Sequence, residues 1–150
     1  MSRRRKHQPL DQLVLAVGDL DDTERTVLEV LAVMCMPTTR TELARVLRSV
    51  RPRMPNGQAW TTPRLAPTFK RLEAAALLRD QGRIQCGDEI RSWLTVEMRK
   101  DDRLRPVAHS VCSAKPDDEY GGIRDVFLAL QLEDTDRALE ALDHCDSERP

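Results

Sequence analysis

The sequence predicts a mainly α-helical protein with one small β-hairpin, on three observations. Leu, Ala, Arg and Glu dominate the 150 residues while strand-favouring residues are sparse. Apolar residues recur at helical spacing in several segments. Between the short segments 77–79 (LLR) and 84–86 (IQC), residues 80–83 (DQGR) supply turn chemistry. The length is near that of one ordinary domain.

Composition limits the class of protein further. The chain is 40% hydrophobic but only 3% aromatic, so its core must be aliphatic. No apolar run reaches the length that spans a bilayer, and the opening MSRRRKHQP lacks the apolar stretch of a secretory signal. The four cysteines are far apart and form no CxxC pair, which is typical of a reducing compartment. We therefore expect a cytoplasmic protein without membrane contact.

Charge is strongly segregated behind a net charge of −1. Residues 1–7 carry four cations and no acid, and residues 8–39 carry six acids against one arginine. Five arginines face one glutamate in 40–53, and five bases face two acids in 54–83. Residues 106–150 carry eleven acids against four bases. This cationic middle between acidic flanks favours an anionic partner for residues 40–83.

Four regions are predicted along the chain: 1–20, 21–103, 104–122 and 123–150. The first holds a basic arm over residues 1–9, either a solvated tail or a phosphate-contacting arm, since clustered cations release counterions from nucleic acid. Residues 10–17 follow as a short apolar segment that packs on the body or on a partner.

The second region begins with two capped helices. Asp21 or Asp22 is expected to cap the first, with Glu24 in its first turn, and Pro37 ends it. Thr39 and Glu42 match a capping box, from which the second helix runs to about Val50.

Residues 51–62 form a loop, longer than the turn of a compact helix-turn-helix and punctuated by two prolines and Asn56-Gly57. Trp60 is interpreted as a lid on the core in preference to a stacking platform. The third helix spans residues 65–77, and Pro63 and Pro67 leave two alternatives for its start. Either Thr62 caps it and Pro67 distorts the first turn, or it begins near Ala66, which we favour.

The third helix separates an apolar face from a polar one. Its predicted outer face carries Arg64, Thr68, Lys70 and Arg71. A fourth helix follows the hairpin, capped by Gly87 or Asp88. Residues 104–122 are expected to be an irregular linker, because they contain two prolines and little periodicity. Residues 123–150 predict two short helices like the start of a helical repeat, in the front part of a longer polypeptide or a subunit that docks on a partner.

The order of elements over residues 21–100 and the phrase TFKRLEAAALLR resemble the winged helix-turn-helix superfamily. Many bacterial regulators have a recognition helix, then Leu-Glu-x-x-Gly-Leu-Leu, then the wing. Ala76 stands where glycine is common, which predicts a less sharply turned helix end. The resemblance implies a winged-helix core and DNA contact from Thr68, Lys70 and Arg71, with Arg83 at the wing tip. Such modules also lead larger DNA-acting ATPases and helicases, or act as protein-docking domains.

Duplex DNA is therefore the expected partner, contacted mainly through its phosphates. Arg64 joins the residues named by the resemblance, and Arg48, Arg51 and Arg53 extend the patch. Only Lys70 and Arg71 are placed to contact base edges, so modest sequence specificity is expected. The alternative for this cationic face is ordinary solvated charge.

No enzymatic signature accompanies this pattern. The sequence contains no Walker loop, HExxH or GxSxG, and its three histidines are scattered. We expect no cofactor, no metal site and no catalysis by this chain alone. The function predicted is a DNA-binding winged-helix protein or module. The alternative is an interaction adaptor without DNA binding, using residues 10–17 and 123–145 to bind a partner or a second copy.

Overall fold

The computed structural model describes residues 8–114, which form six helices and a two-stranded antiparallel hairpin. The predicted class, mainly α with a small hairpin, is confirmed. In order, the elements are α1 Leu10–Gly18, α2 Asp22–Met34, α3 Arg40–Val50, α4 Thr62–Ala74, β1 Leu78–Asp80, β2 Ile84–Cys86, α5 Asp88–Lys100 and α6 Leu104–Ala114.

Helix α2 lies at the centre of the fold. Its residues from Val27 to Met34 are all buried, including Glu29. A helix that is buried on every side must be surrounded by other elements. Helices α3, α4, α5 and α6 and strand β2 all contact it. The remaining elements are thus positioned by their contact with α2.

Two helix starts were predicted correctly from their caps. The Asp21 carboxylate accepts from the Glu24 amide at 2.8 Å, and the Glu24 carboxylate accepts from the Asp21 amide at 3.0 Å, which is a capping box. At α3, the Thr39 hydroxyl accepts from the Glu42 amide at 3.1 Å. The Glu42 carboxylate pairs with Arg45 in the next turn.

The start of α4 differs from both predicted alternatives. Thr61 is the cap, with its hydroxyl accepting from the Arg64 amide at 3.4 Å, and the helix begins at Thr62. Pro63 occupies the second helical position, where a missing N–H breaks no helical bond. Pro67 lies inside the helix and forgoes only the bond to the Pro63 carbonyl. The favoured start near Ala66 was therefore wrong by about one turn.

The end of α4 is sharply turned, contrary to the expectation from Ala76. The Leu77 amide donates to the Leu72 carbonyl and the Ala76 amide to the Glu73 carbonyl, both at 3.0 Å. This pattern is a Schellman motif, and Ala76 adopts the left-handed φ of 62° that glycine usually supplies. Leu72 and Leu77, both fully buried, provide the apolar contact that accompanies the motif.

The hairpin follows directly and gains a third member. Asp80 pairs with Ile84 across a turn in which Gly82 has a φ of 85°. Thr38, between α2 and α3, bridges Ile84 through backbone bonds of 2.9 and 2.7 Å. The order is thus Thr38, β2, β1. A single bridging residue has no periodicity of its own, so the sequence did not indicate this contact.

Residues 104–114 form α6, so the prediction of an irregular linker was wrong there. Leu104, Ala108, Val111 and Ala114 share its buried face. Pro106 is the third residue of the helix, where proline is tolerated. The Arg103 guanidinium donates to both oxygens of Glu29 at 2.6 and 2.8 Å, a hydrogen bond that raises the pKa of Arg103.

Segment 10–17 packs on the body as α1, through Leu13 and Val17. Within residues 8–114 no helix has the length and apolar character needed to cross a membrane. The expectations for residues 1–7, for the linker over 115–122 and for helices over 123–150 lie outside the described residues.

Candidate nucleic-acid interface

The outer face of α4 is a row of small or rigid side chains with one cation. Pro63, Pro67, Lys70 and Ala74 follow one another at helical spacing and are all exposed. The Lys70 side chain forms no hydrogen bond or ion pair with any other residue between 8 and 114. Its ammonium group therefore keeps its full charge on this face.

Thr68 lies on the buried side of α4, and the expectation that it points outward was wrong. Only 9% of this residue is exposed. It follows Leu65 by three positions and precedes Leu72 by four, and both leucines are fully buried. Residues at these spacings share one side of a helix, so Thr68 belongs to the core stripe and is not placed to contact a ligand.

Arg71 forms an ion pair with a buried carboxylate of the same chain. Its Nε lies 2.9 Å from Oε2 of Glu24, whose side chain is only 4% exposed, and its Nη2 lies 3.5 Å from the Asp19 carbonyl oxygen. Because a buried carboxylate needs a compensating charge, this pair ties α4 to the start of α2. Arg71 remains 59% exposed along its side chain, but its charge is neutralised by Glu24.

The loop before α4 is held by Trp60 and by arginines. Trp60 is fully buried, as the preferred interpretation predicted, and its indole N–H donates to the Arg51 carbonyl at 2.8 Å. Arg48 donates to the Trp60 carbonyl at 3.1 Å and Arg64 to the Ala59 carbonyl at 2.9 Å. Arg53 donates to the Gly57 carbonyl at 3.2 Å.

These loop arginines keep donors and charge for a ligand. A guanidinium has five N–H donors, and each bond to a carbonyl uses one without neutralising the charge. Residues 43–72 contain seven Lys and Arg and no Asp or Glu. In the described part of the chain, no carboxylate pairs with any member of the cluster that we call the loop-side cations: Arg48, Arg51, Arg53, Arg64 and Lys70.

The hairpin differs from the loop side, although Arg83 is exposed there as expected. Neighbouring cations are paired with acids: Arg79 lies 3.4 Å from Asp88, and Arg40 lies 2.5 Å from Asp80. Arg40 also stacks on Phe69 of α4 at 5.0 Å. Of the eight predicted site residues, four therefore cluster around the loop, Lys70 follows along α4, and Arg83 lies beyond the other end of that helix.

Comparison with known proteins gives no relative: no family model, no curated protein and no solved structure matches the chain. What the molecule does must therefore be inferred from the chemistry of these side chains.

Proposed function

We propose that this chain is a DNA-binding winged-helix protein or module that contacts duplex DNA through α4 and the loop before it. The order α2, α3, α4 and the β1–β2 hairpin supports the winged-helix class, because it is the order of elements on which the resemblance to that superfamily rests. The observation that carries the proposal is the set of loop-side cations, five exposed positive charges with no carboxylate partner among residues 8–114.

Phosphate is the ligand that this surface suits best. Guanidinium groups bind phosphate oxygens through several donors at once, and each neutralised phosphate releases counterions. The α4 N-terminus adds the positive end of a helix dipole beside Arg64. The loop-side cations are distributed from the loop before α4 to Lys70 in the middle of that helix, so they suit a polymer with several phosphates.

Few side chains of α4 would be able to recognise bases. Pro63, Pro67 and Ala74 on its outer row have no side-chain donors or acceptors, and Lys70 is the one member that can reach a base edge by hydrogen bonding. Arg71 is held by Glu24. Apolar side chains in the major groove contact thymine methyl groups at most. Binding would therefore depend mainly on phosphates and only weakly on sequence.

A low-salt titration of the full chain with a labelled duplex tests the proposal. Lys70→Glu should weaken binding by about tenfold or more, since it removes one phosphate contact and adds repulsion. Lys100→Glu is the matched control, because Lys100 is also exposed but lies on α5 and pairs with Glu97 at 3.0 Å. Equal losses in the two variants, or no binding at low salt, would overturn the proposal.

A second candidate is a protein-interaction adaptor without DNA binding, favoured by α1. Leu10 and Leu15 of that helix are 43% and 71% exposed, so α1 offers apolar surface although Leu13 and Val17 are buried. This candidate predicts a stable oligomer or complex that Leu15→Ser weakens, together with no retardation of DNA. A mass measurement in solution beside the DNA titration separates the two functions.

A further inference from the structure

A groove of about 360 Å³ lies on the hairpin side of the molecule, away from the loop before α4. It is bounded by α1, the end of α4, strand β1 and the first turn of α5. Leu13, Leu78 and Ile90 form its apolar floor and are at most 5% exposed. Four carboxylates line its rim: Glu73, Asp80, Asp88 and Glu89.

Strand β1 presents to this groove a backbone edge that pairs with no other strand among residues 8–114. Ile84 of β2 exchanges both of its backbone bonds with Thr38, so its partner Asp80 has its own N–H and C=O directed away from β2. The same alternation directs the backbone groups of Leu78 outward, and both residues line the groove. An edge of this kind can accept an extended peptide as an added strand.

The charge of the groove is negative. Arg79 is the one cation in its lining and lies 3.4 Å from Asp88. Asp80 pairs with Arg40 from outside the groove. Glu73 has no ion pair with any residue in 8–114. An occupant with several positive charges and an extended backbone would therefore match both the rim and the free edge.

We propose that this groove binds the cationic residues 3–6 of the same chain. Gln8 lines the groove, so the sequence RRRK is tethered at its margin. A stretch of seven residues can reach about 23 Å, whereas β1 is roughly 10 Å long. A short tether gives an effective concentration in the millimolar range, so modest ion pairs are sufficient for binding. The four positive charges of this segment would then lie beside a rim on which Glu73 and Glu89 add to the paired Asp80 and Asp88.

Binding in the groove would withhold these cations from other anions. If the chain binds DNA as proposed above, phosphates and the groove compete for the same four side chains. The groove itself requires no DNA, so it can be tested separately.

Limited proteolysis of the full chain measures occupancy of the groove directly. Trypsin cleaves after Arg and Lys, and residues 3–6 held in the groove are protected. Glu73→Gln combined with Glu89→Gln should speed cleavage at these residues by about threefold or more, because both changes remove rim charge. Asp19→Asn combined with Asp22→Asn is the matched control, since it removes two exposed carboxylates outside the groove lining.

Screening provides the second measurement. Raising the salt to about 1 M should speed cleavage of the unchanged chain, because exposed ion pairs are screened at that ionic strength. Most of the difference in cleavage rate between the unchanged chain and the Glu73→Gln, Glu89→Gln variant should then disappear. Equal cleavage rates for the groove variant and its control, or a difference that salt does not reduce, would overturn the proposal. Circular dichroism of each variant confirms that the fold is retained.

Discussion

Arginines lie at both ends of α4, but they bind different partners at the two ends. At the N-terminal end, Arg48, Arg53 and Arg64 donate to carbonyl groups of the loop, and no acid lies between residues 43 and 72. At the C-terminal end, Arg71 and Arg79 pair with Glu24 and Asp88.

The difference shows that counting cations does not locate an anion-binding surface. An arginine bonded to a carbonyl keeps its net charge, whereas an arginine paired with a carboxylate contributes nearly none at a distance. Phosphate approaching the C-terminal end would also have to displace an existing partner. The N-terminal end offers positive charge that is already held in place by the loop, which lowers the cost of ordering side chains on binding.

The largest expected effect comes from removing charge at one end and then at the other. Arg53→Gln with Arg64→Gln should weaken DNA binding by about 60-fold near 0.1 M salt and reduce the salt slope by about 1.8, since two phosphate contacts are lost. Arg79→Gln with Arg83→Gln removes the same charge at the hairpin and should weaken binding by less than about fivefold. Salt-dependent titrations measure both pairs, and equal slopes would refute the distinction between the ends.

The second expected effect is on stability and concerns Arg71. Arg71→Gln leaves the buried Glu24 carboxylate without its cation, which should lower the free energy of unfolding by about 2 kcal/mol. The loss is smaller than for a fully buried pair because the Arg71 side chain is 59% exposed. The salt slope of DNA binding should stay unchanged.

The adjacent Lys70 supplies the control for that experiment. Lys70→Gln should change stability by less than about 0.5 kcal/mol while lowering the salt slope by about one. If Arg71 is structural and Lys70 contacts DNA, urea unfolding should detect only the Arg71→Gln change, and DNA titration should detect only the Lys70→Gln change. A stable Arg71→Gln protein with weakened DNA binding would reverse it.

Local signals predicted most of the fold. Asp21 and Thr39 were identified as caps because a cap is made within four residues of sequence. The hairpin was predicted from Gly82 and its neighbours for the same reason. Helix α6 was missed because Pro106 was taken as a breaker, although the third position of a helix tolerates it.

The candidate site was predicted less well, because its charge balance depends on distant contacts. Arg71 and Glu24 are far apart in sequence, and nothing local indicates that they meet. Thr68 was misplaced because its hydroxyl was taken as a polar group of the outer face, although its spacing from Leu65 and Leu72 joins it to the buried stripe. The residue types and the region were available from sequence, but which arginines keep their charge was not.

Cys86 provides a test of how completely water is excluded from the core beneath the hairpin. Burial raises the pKa of its thiol to about 12, partly offset by the nearby Arg91 guanidinium. The folded thiol thus stays protonated while the unfolded one ionises above its ordinary 9.0, so this stabilising contribution is complete below that pH and is lost as pH rises towards 12. At about pH 10 the loss should be roughly 1.4 kcal/mol.

The measurement compares urea unfolding of the unchanged chain and of Cys86→Ala at about pH 8 and about pH 10. The substitution lowers stability at both values, but the variant should lose less stability between them than the unchanged chain does. Parallel losses would show that water reaches the thiol and that β2 is less enclosed than the 0% exposure of Cys86 indicates.

The smallest expected effect is a gain in stability at the C-terminal end of α4. Ala76 holds a left-handed conformation that costs an alanine about 1–2 kcal/mol, and its side chain is exposed, so Ala76→Gly loses little packing. The greater entropy of unfolded glycine offsets part of the gain, which leaves about 1 kcal/mol of net stabilisation.

Ala75→Gly is the matched control, because Ala75 has a φ of −81°, where glycine brings no relief. The free energy of unfolding of that variant should fall by about 0.5–1 kcal/mol. Thermal or urea unfolding should therefore show stabilisation by glycine at position 76 and destabilisation by glycine at position 75. Destabilisation by both substitutions would mean that the sharp end of α4 is maintained without strain. The hairpin side would then differ from the loop side in charge alone, since the conformational cost assigned to its helix end would be absent.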